Sequence, residues 1–182
     1  MRTLCVLSLV AVLAPAVASA QSFSPSFSVH VAAGPTIVNS GHTFSAAVGF
    51  SPWSRVTFLL DVQKTHLSQR TSRNDGSPYT EYRGGDITAV SGEVRVGFWP
   101  INRVTPYVLA GFGGGESRPT VNEVFPEPVT NDVAFAFFGA GVHVPVGNHA
   151  SLFGDFRVVG GPEGYDSMIV MYPVRFGMAW RF

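Results

Sequence analysis

The end of the chain alternates between two kinds of side chain. Tyr172, Val174, Phe176, Met178, Trp180 and Phe182 fall on one face of an extended segment, and Met171, Pro173, Arg175, Gly177, Ala179 and Arg181 on the other. Side chains along a strand repeat every two residues, so one face is large and apolar while the other is small, polar or charged. Three internal segments share the pattern. Val56, Phe58, Leu60 and Val62 oppose Thr57, Leu59, Asp61 and Gln63. Val90, Val94, Val96 and Phe98, with Gly92, oppose Ser91, Glu93, Arg95 and Gly97. Leu152, Phe156 and Val158 oppose Ser151, Asp155 and Arg157. A barrel in water turns its apolar faces inward. The inverse arrangement, with mid-strand acids and bases paired inside and large apolar residues outside, requires lipid around it.

A soluble antiparallel sandwich also alternates, but two features weigh toward lipid. Lys64 is the only lysine, whereas soluble surfaces are usually rich in it. Trp53 and Trp99 stand at short turns, and Trp180 and Phe182 end the last strand. All four then lie at one rim, as half of an interfacial aromatic girdle. Charged residues make up only 13% of the chain, against about 25% in soluble domains. Disordered chains are polar and charge-rich, so disorder is excluded. The 12 basic residues balance 12 acidic ones and form no basic stripe, which speaks against nucleic acid as a partner.

Residues 1–20 read as a cleaved secretory signal peptide. Met1-Arg2-Thr3 is a basic start, Leu4 to Val17 an apolar stretch, and Ala18-Ser19-Ala20 a small-residue cleavage site before Gln21. The apolar stretch is shorter than the ~20 residues of a spanning helix. Cys5, the only cysteine, leaves with this segment, so disulfides, thiolate nucleophiles and cysteine-ligated metals are excluded from the mature chain. Removal of Arg2 leaves 11 basic against 12 acidic residues, a formal charge of −1.

Residues 21–182 form one domain. Gly and Pro punctuate segments rich in Val, Phe, Thr and Tyr, which predicts eight strands near 27–36, 43–50, 56–68, 87–98, 105–116, 133–144, 150–159 and 169–182. Connections near 51–55, 99–104 and 146–149 are short. Those at 69–86, 117–131 and 160–167 are longer, while the first, near Asn39-Ser40-Gly41, is also short. In an up-and-down meander, alternate connections share an end, so one rim is trimmed and the other carries loops. The predicted fold is all-β: an eight-stranded antiparallel up-and-down transmembrane β-barrel behind a signal peptide.

The final segment, Arg175-Phe176-Gly177-Met178-Ala179-Trp180-Arg181-Phe182, resembles the C-terminal assembly signal of bacterial outer-membrane β-barrels. Arg175, Gly177, Trp180 and Phe182 fill its polar, glycine, hydrophobic and terminal aromatic places. The run Thr105-Pro106-Tyr107-Val108-Leu109-Ala110-Gly111-Phe112-Gly113 resembles the fifth strand of small OmpA/OmpX-like barrels. The resemblance implies export to the outer membrane of a Gram-negative-type bacterium, contact with its lipid, and recognition by the barrel assembly machinery. Within this sequence no peptidoglycan-binding domain follows the barrel, so the anchoring role of two-domain relatives is not implied.

The polar faces hold His30, Asp61, Gln63, Glu93, Arg95, His143, Asp155, Arg157, Arg175 and Arg181. An eight-stranded barrel is only wide enough inside for side chains. The favoured reading is a salt-bridged core built on Asp61, Glu93, Arg95, Asp155, Arg157 and Arg175, because a buried unpaired charge is costly. Glu93/Arg95 and Asp155/Arg157 each put an acid and a base on one face at i, i+2, which suits cross-strand pairing. A narrow ion path or proton relay is the alternative. His66-Leu67-Ser68 resembles the His-x-Ser pair of outer-membrane lipid A deacylases, but Gln69 stands where that family has Asn, and the family's motif lies in a later strand. A chance pair at a loop edge is the simpler reading.

Pro35 and Pro173 fall at similar heights in the first and last strands, which closure makes neighbours. Each lacks an N–H, so the seam is expected either to be weakly bonded near its outer rim, fraying or admitting lipid sideways, or, as the favoured reading, to have both N–H positions face a loop or bulge. Residues 116–132 carry a formal charge of −3 and residues 160–167 add −2, with no dense metal-ligand cluster. The sequence points to a monomeric, non-enzymatic protein with no cofactor or metal, whose loops meet an unspecified surface ligand. The alternatives are a lipid-modifying enzyme and a narrow channel.

Overall fold

In the computed structural model, residues 23–37, 40–68, 70–74, 77–81, 84–121, 127–163 and 167–182 are described. The leader expected at 1–20 and its cleavage site lie outside them. The strands are β1 (Phe23–Ile37), β2 (Gly41–Trp53), β3 (Val56–Leu67), β4 (Arg70–Asn74), β5 (Ser77–Glu81), β6 (Gly85–Gly97), β7 (Thr105–Pro119), β8 (Asn131–Val146), β9 (Ala150–Glu163) and β10 (Ser167–Arg181). Eight of them run β1-β2-β3-β6-β7-β8-β9-β10 around the barrel, each antiparallel to its neighbours, and β1 pairs with β10 to close it. Closure removes the unpaired sheet edges that lipid would leave unsatisfied.

The strands are longer than the sequence suggests. The loop expected at 160–167 shrinks to the stretch between Glu163 and Ser167, because β9 and β10 pair through Ser167↔Glu163. The polar stretch expected as a loop at 70–85 holds the hairpin β4–β5, joined by Arg70↔Glu81 through Asn74↔Ser77. Turn-forming residues in a polar sequence conceal strands that, among the described residues, pair with each other and with one distant strand. That strand is β10, where Ile169 pairs with Ser72 and Val170 with Thr71. The loop-bearing end is therefore uneven. One connection carries the hairpin, another spans 120–130, and the remaining two are brief. At the opposite end all turns are tight, and Asn102 (φ 59°) and Gly147 (φ 78°) take left-handed conformations there.

The seam is interrupted at its prolines. The β1–β10 ladder runs from Ser28↔Arg181 to Ala33↔Phe176 and resumes at Thr36↔Pro173 and Ile37↔Tyr172, omitting Gly34 and Pro35. The β9–β10 ladder omits Tyr172 and Pro173. The bonding is interrupted, yet the rim is not frayed. A Cβ added at Gly34 would lie 1.9 Å from the Val174 carbonyl oxygen, so the two backbones touch across the gap. Above it β4 extends the edge of β10.

The outer surface is the apolar one. Phe27, Phe44, Val48, Leu60, Phe112, Phe138 and Phe176 are all exposed, Phe112 by 75%. Inside, the sequence reading needs a correction: the lumen is not uniformly polar. Leu67, Ile87, Val133, Phe135, Val159, Ile169 and Met171 are buried together at the loop-bearing end. Those positions share the inward parity of the charged residues, so alternation alone does not separate them. Inward aromatics are accommodated by glycine on the neighbouring strand. Phe137 faces Gly111, Phe135 faces Gly113, Tyr107 faces Gly141 and Phe153 faces Gly177. A Cβ on each of these four glycines would come within 3 Å of the opposing ring.

Candidate functional site: a charged lumen and a polar outer rim

The mid-barrel lumen contains Asp61 on β3, Glu93 and Arg95 on β6, Asp155 and Arg157 on β9, and Arg175 on β10, all buried. Strand parity aims all six inward, and the barrel's small diameter brings opposite walls within side-chain reach. Arg95 Nε donates to Glu93, and Arg157 Nε donates to Asp155 Oδ1 at 2.9 Å. These i, i+2 bonds lie within one strand rather than between neighbours. The cross-lumen contacts are different pairs. Arg175 donates through Nη1 across to Asp61 Oδ2 at 2.8 Å, whereas its 3.0 Å bond through Nε to Asp155 Oδ1 joins register partners on the neighbouring strands β10 and β9. Arg157 Nη2 and Glu93 Oε2 form a 2.6 Å ion pair that is not aligned as a hydrogen bond. Tyr107 donates to Asp155 at 3.2 Å, and Arg175 also reaches Ser45.

Three carboxylates and three guanidiniums thus form one connected, formally neutral network tying β3, β6, β9 and β10 together. Arg95 and Arg157 also stack on Phe153 and Phe137, at 4.8 and 4.9 Å from the ring centroids. Of the other predicted inward residues, Gln63 and His30 are buried, His143 is half-buried, and Arg181 is exposed at the short-turn mouth. Trp53, Trp99 and Trp180 stand exposed at that same end, with Phe182. Within the final segment, Arg175 belongs to the network, Gly177 underlies Phe153, and Trp180 and Phe182 face outward.

A second polar group lies on the exterior, where the loop-bearing rim begins. His42, His66, Asp86 and Arg118 form one row across β2, β3, β6 and β7. Phe44, Lys64, Thr88, Glu116 and Asp132 form the next row down, extending onto β8. His66 Nδ1 donates to Asp86 Oδ1 at 2.7 Å, and Lys64 Nζ lies 3.3 Å from Oδ2. Arg118 pairs with Glu116 at 2.9 Å, and the His42 and His66 rings lie 5.3 Å apart. Below these rows the exterior is apolar. Sequence reading missed the group because Asp86 lies far from His66 in the chain, and only register brings them together. Ser68 sits above His66 on the same face, exposed. No hydrogen bond joins the two among the described residues. No cluster of metal-ligating side chains is found among the described residues.

No family profile and no curated protein matches the sequence. Solved structures do. Neisserial surface protein A superposes with a TM-score of 0.61 at 12% identity, covering 87% of this chain and 96% of that one. The N-terminal β-barrel domain of Pseudomonas aeruginosa OprF gives 0.57 at 13% identity, covering 90% and 100%. This chain has the fold of the small eight-stranded outer-membrane β-barrels. Ail, the attachment invasion locus protein of Yersinia pestis, solved with the heparin analogue sucrose octasulfate, gives 0.50 at 15% identity, covering 87% and 97%. At these identities what is shared is the outer-membrane barrel fold: strand number, closure and antiparallel order. The six charges in the lumen and the two polar rows of the rim are properties of this chain's own sequence.

Proposed function

We propose that the chain is a monomeric outer-membrane protein whose closed barrel is a platform, with the short turns facing the periplasm and the longer connections meeting a partner outside the cell. One observation carries the reading: the molecule is inside out, with exposed Phe and Leu around the barrel and buried Arg and Asp within it. Export by the leader and insertion by the barrel assembly machinery, through the final segment, belong to the same reading. The closed lumen favours a platform over a channel. Arg157 and Arg175 are almost wholly buried, and the apolar layer of Leu67, Ile87, Ile169 and Met171 blocks the loop-bearing end. By sequence position that end carries nine carboxylates against five basic residues. A cationic partner surface therefore fits it better than the polyanion bound to Ail does. The test removes residues 70–81 and 120–130 in separate variants and measures heat-modifiable gel migration, bilayer conductance and cell-surface binding. Retained migration with lost binding and no conductance in the parent supports the reading. Steady single-channel conductance in the parent refutes it.

The rim supports a second reading, hydrolysis of an outer-leaflet lipid ester. Asp86 fixes His66 by a 2.7 Å bond on the lipid side of the barrel, the geometry of an oriented general base, and Ser68 supplies a hydroxyl on the same face. Release of fatty acid from outer-membrane lipid that is lost in both Ser68→Ala and His66→Ala favours it. Equal release by the parent and both variants removes it.

A further inference from the structure

The charges along the barrel axis are sorted by height. The lumen network is formally neutral, with Asp61, Glu93 and Asp155 against Arg95, Arg157 and Arg175. The remaining nine side-chain carboxylates all lie by sequence at the loop-bearing end, and none lies at the short-turn end, where Arg55, Arg103 and Arg181 stand. That end is therefore cationic, and no acidic side chain there balances it.

The same end contains a cavity of about 250 Å³ inside the barrel mouth. Its walls include Arg55, Arg95 and Arg181, with His30, His143 and Tyr107, and the rest of the polar lining is serine and threonine hydroxyl. No carboxylate lines it. Arg95 forms its floor, held from below by Glu93 and lying 3.7 Å from Asp155. Arg55 packs over Trp99 at 4.0 Å and has no acidic partner among the described residues, nor has Arg181. His30 is nine-tenths buried at the wall; its Nε2 bonds Ser28 at 2.9 Å and its Nδ1 has no partner in the protein. Three arginines in one lining, together with serine and threonine hydroxyls, supply the donors that a tetrahedral oxyanion takes. The volume falls below the ~300–1,000 Å³ of pockets for drug-sized ligands, which leaves room for a phosphate or small phosphoester with its waters.

We propose that this vestibule is a binding site for a phosphate group presented from the short-turn side, whether free phosphate or the head of an inner-leaflet phospholipid. The presence of Arg55, Arg95 and Arg181 in a lining without carboxylates carries the assignment, which depends on the proposed function only for the name of the compartment the mouth faces. Binding by the purified barrel thus succeeds or fails independently of any surface partner.

The mature barrel is refolded in zwitterionic detergent and titrated with inorganic phosphate, with chloride at matched ionic strength as control. Phosphate-31 NMR exchange broadening and the thermal unfolding midpoint are recorded. The expected result is saturable broadening and a rise in the midpoint with phosphate alone, weakened at least tenfold in Arg55→Gln/Arg181→Gln. Both residues lie outside the lumen network, and each single variant carries the test should the double variant not refold. A second arm repeats the titration in nanodiscs with and without an anionic phospholipid. Weaker phosphate binding in the anionic discs identifies the headgroup as the occupant, and equal binding identifies free phosphate. Equal responses to phosphate and chloride, or an unchanged affinity in the arginine variants, overturn the site.

Discussion

Asp155 is the hub of the lumen, so Asp155→Asn tests the energetic account of it. The carboxylate accepts from Arg157 Nε at 2.9 Å, from Arg175 Nε at 3.0 Å and Nη2 at 3.1 Å, and from Tyr107 at 3.2 Å. The amide keeps the shape but removes the charge, leaving three guanidiniums against two carboxylates in a closed space. Each pair at about 4 Å interacts by ~4 kcal/mol at an effective dielectric constant of 20, partly offset by desolvation. Breaking a buried pair on one side typically costs about 3–5 kcal/mol. That is a large share of a total stability of roughly 5–15 kcal/mol. Urea unfolding of the vesicle-refolded barrel, followed by tryptophan fluorescence, reads the loss. The decisive comparison is the double variant Asp155→Asn/Arg157→Gln. It leaves Arg95 with Glu93 and Arg175 with Asp61, so every remaining charge keeps a partner. The loss in the double is expected to fall short of the sum of the two single losses by roughly 1–3 kcal/mol, the coupling range for residues in one network. A single variant within about 0.5 kcal/mol of the parent, or a double whose loss is the sum of the two singles, refutes the account.

Three further substitutions probe other layers. Phe112→Arg places a charge on the exposed mid-barrel exterior; it is expected to cost about 2–4 kcal/mol in lipid, and an unchanged urea midpoint would deny that this face meets hydrocarbon. Gly111→Val puts a Cβ 2.4 Å from Phe137 Cζ and 2.3 Å from the Gly92 carbonyl oxygen; overpacking of this kind costs roughly 1–3 kcal/mol, seen as a lower refolded fraction on unboiled gels. Asp86→Asn removes a pair whose members are 40% exposed or more; the expected loss is below about 1 kcal/mol, so a loss comparable to that of Asp155→Asn would move the rim out of solvent.

The fold was legible because lipid makes the alternation stark. In water an exposed face tolerates many residue types, whereas in hydrocarbon it excludes charge, so Phe176, Met178 and Trp180 stand out against Arg175 and Arg181. The six lumen charges were legible for the same reason, since a mid-strand Asp or Arg has only the interior left. Their partners were not. Spacing pairs Glu93 with Arg95, but the contact of Arg157 with Glu93 crosses the barrel from β9 to β6, and that depends on diameter and stagger, which no single strand records. The hairpin β4–β5 escaped because its segment is short, polar and rich in turn formers, and its pairing with β10 is set by where the loop lands.

The glycines show what a sequence pattern conceals when a lumen is this narrow. An inward Phe needs space on the neighbouring strand, and an inward glycine supplies it. Set opposite each other, Phe137 and Gly111, Phe135 and Gly113, and Phe153 and Gly177 fill the cross-section together. Such pairs account for glycines that in a soluble strand would simply weaken it, and for aromatic residues on a face expected to be polar. The lumen is also divided by height. The apolar layer of Leu67, Ile87, Ile169 and Met171 lies toward the loop-bearing end and the vestibule toward the short-turn end, with the ionic network between them. A barrel that conducted ions would need small or polar residues at every height. This one buries Ile169 and Met171 toward the loop-bearing end and has its arginine-lined cavity at the short-turn end, the end that is cationic.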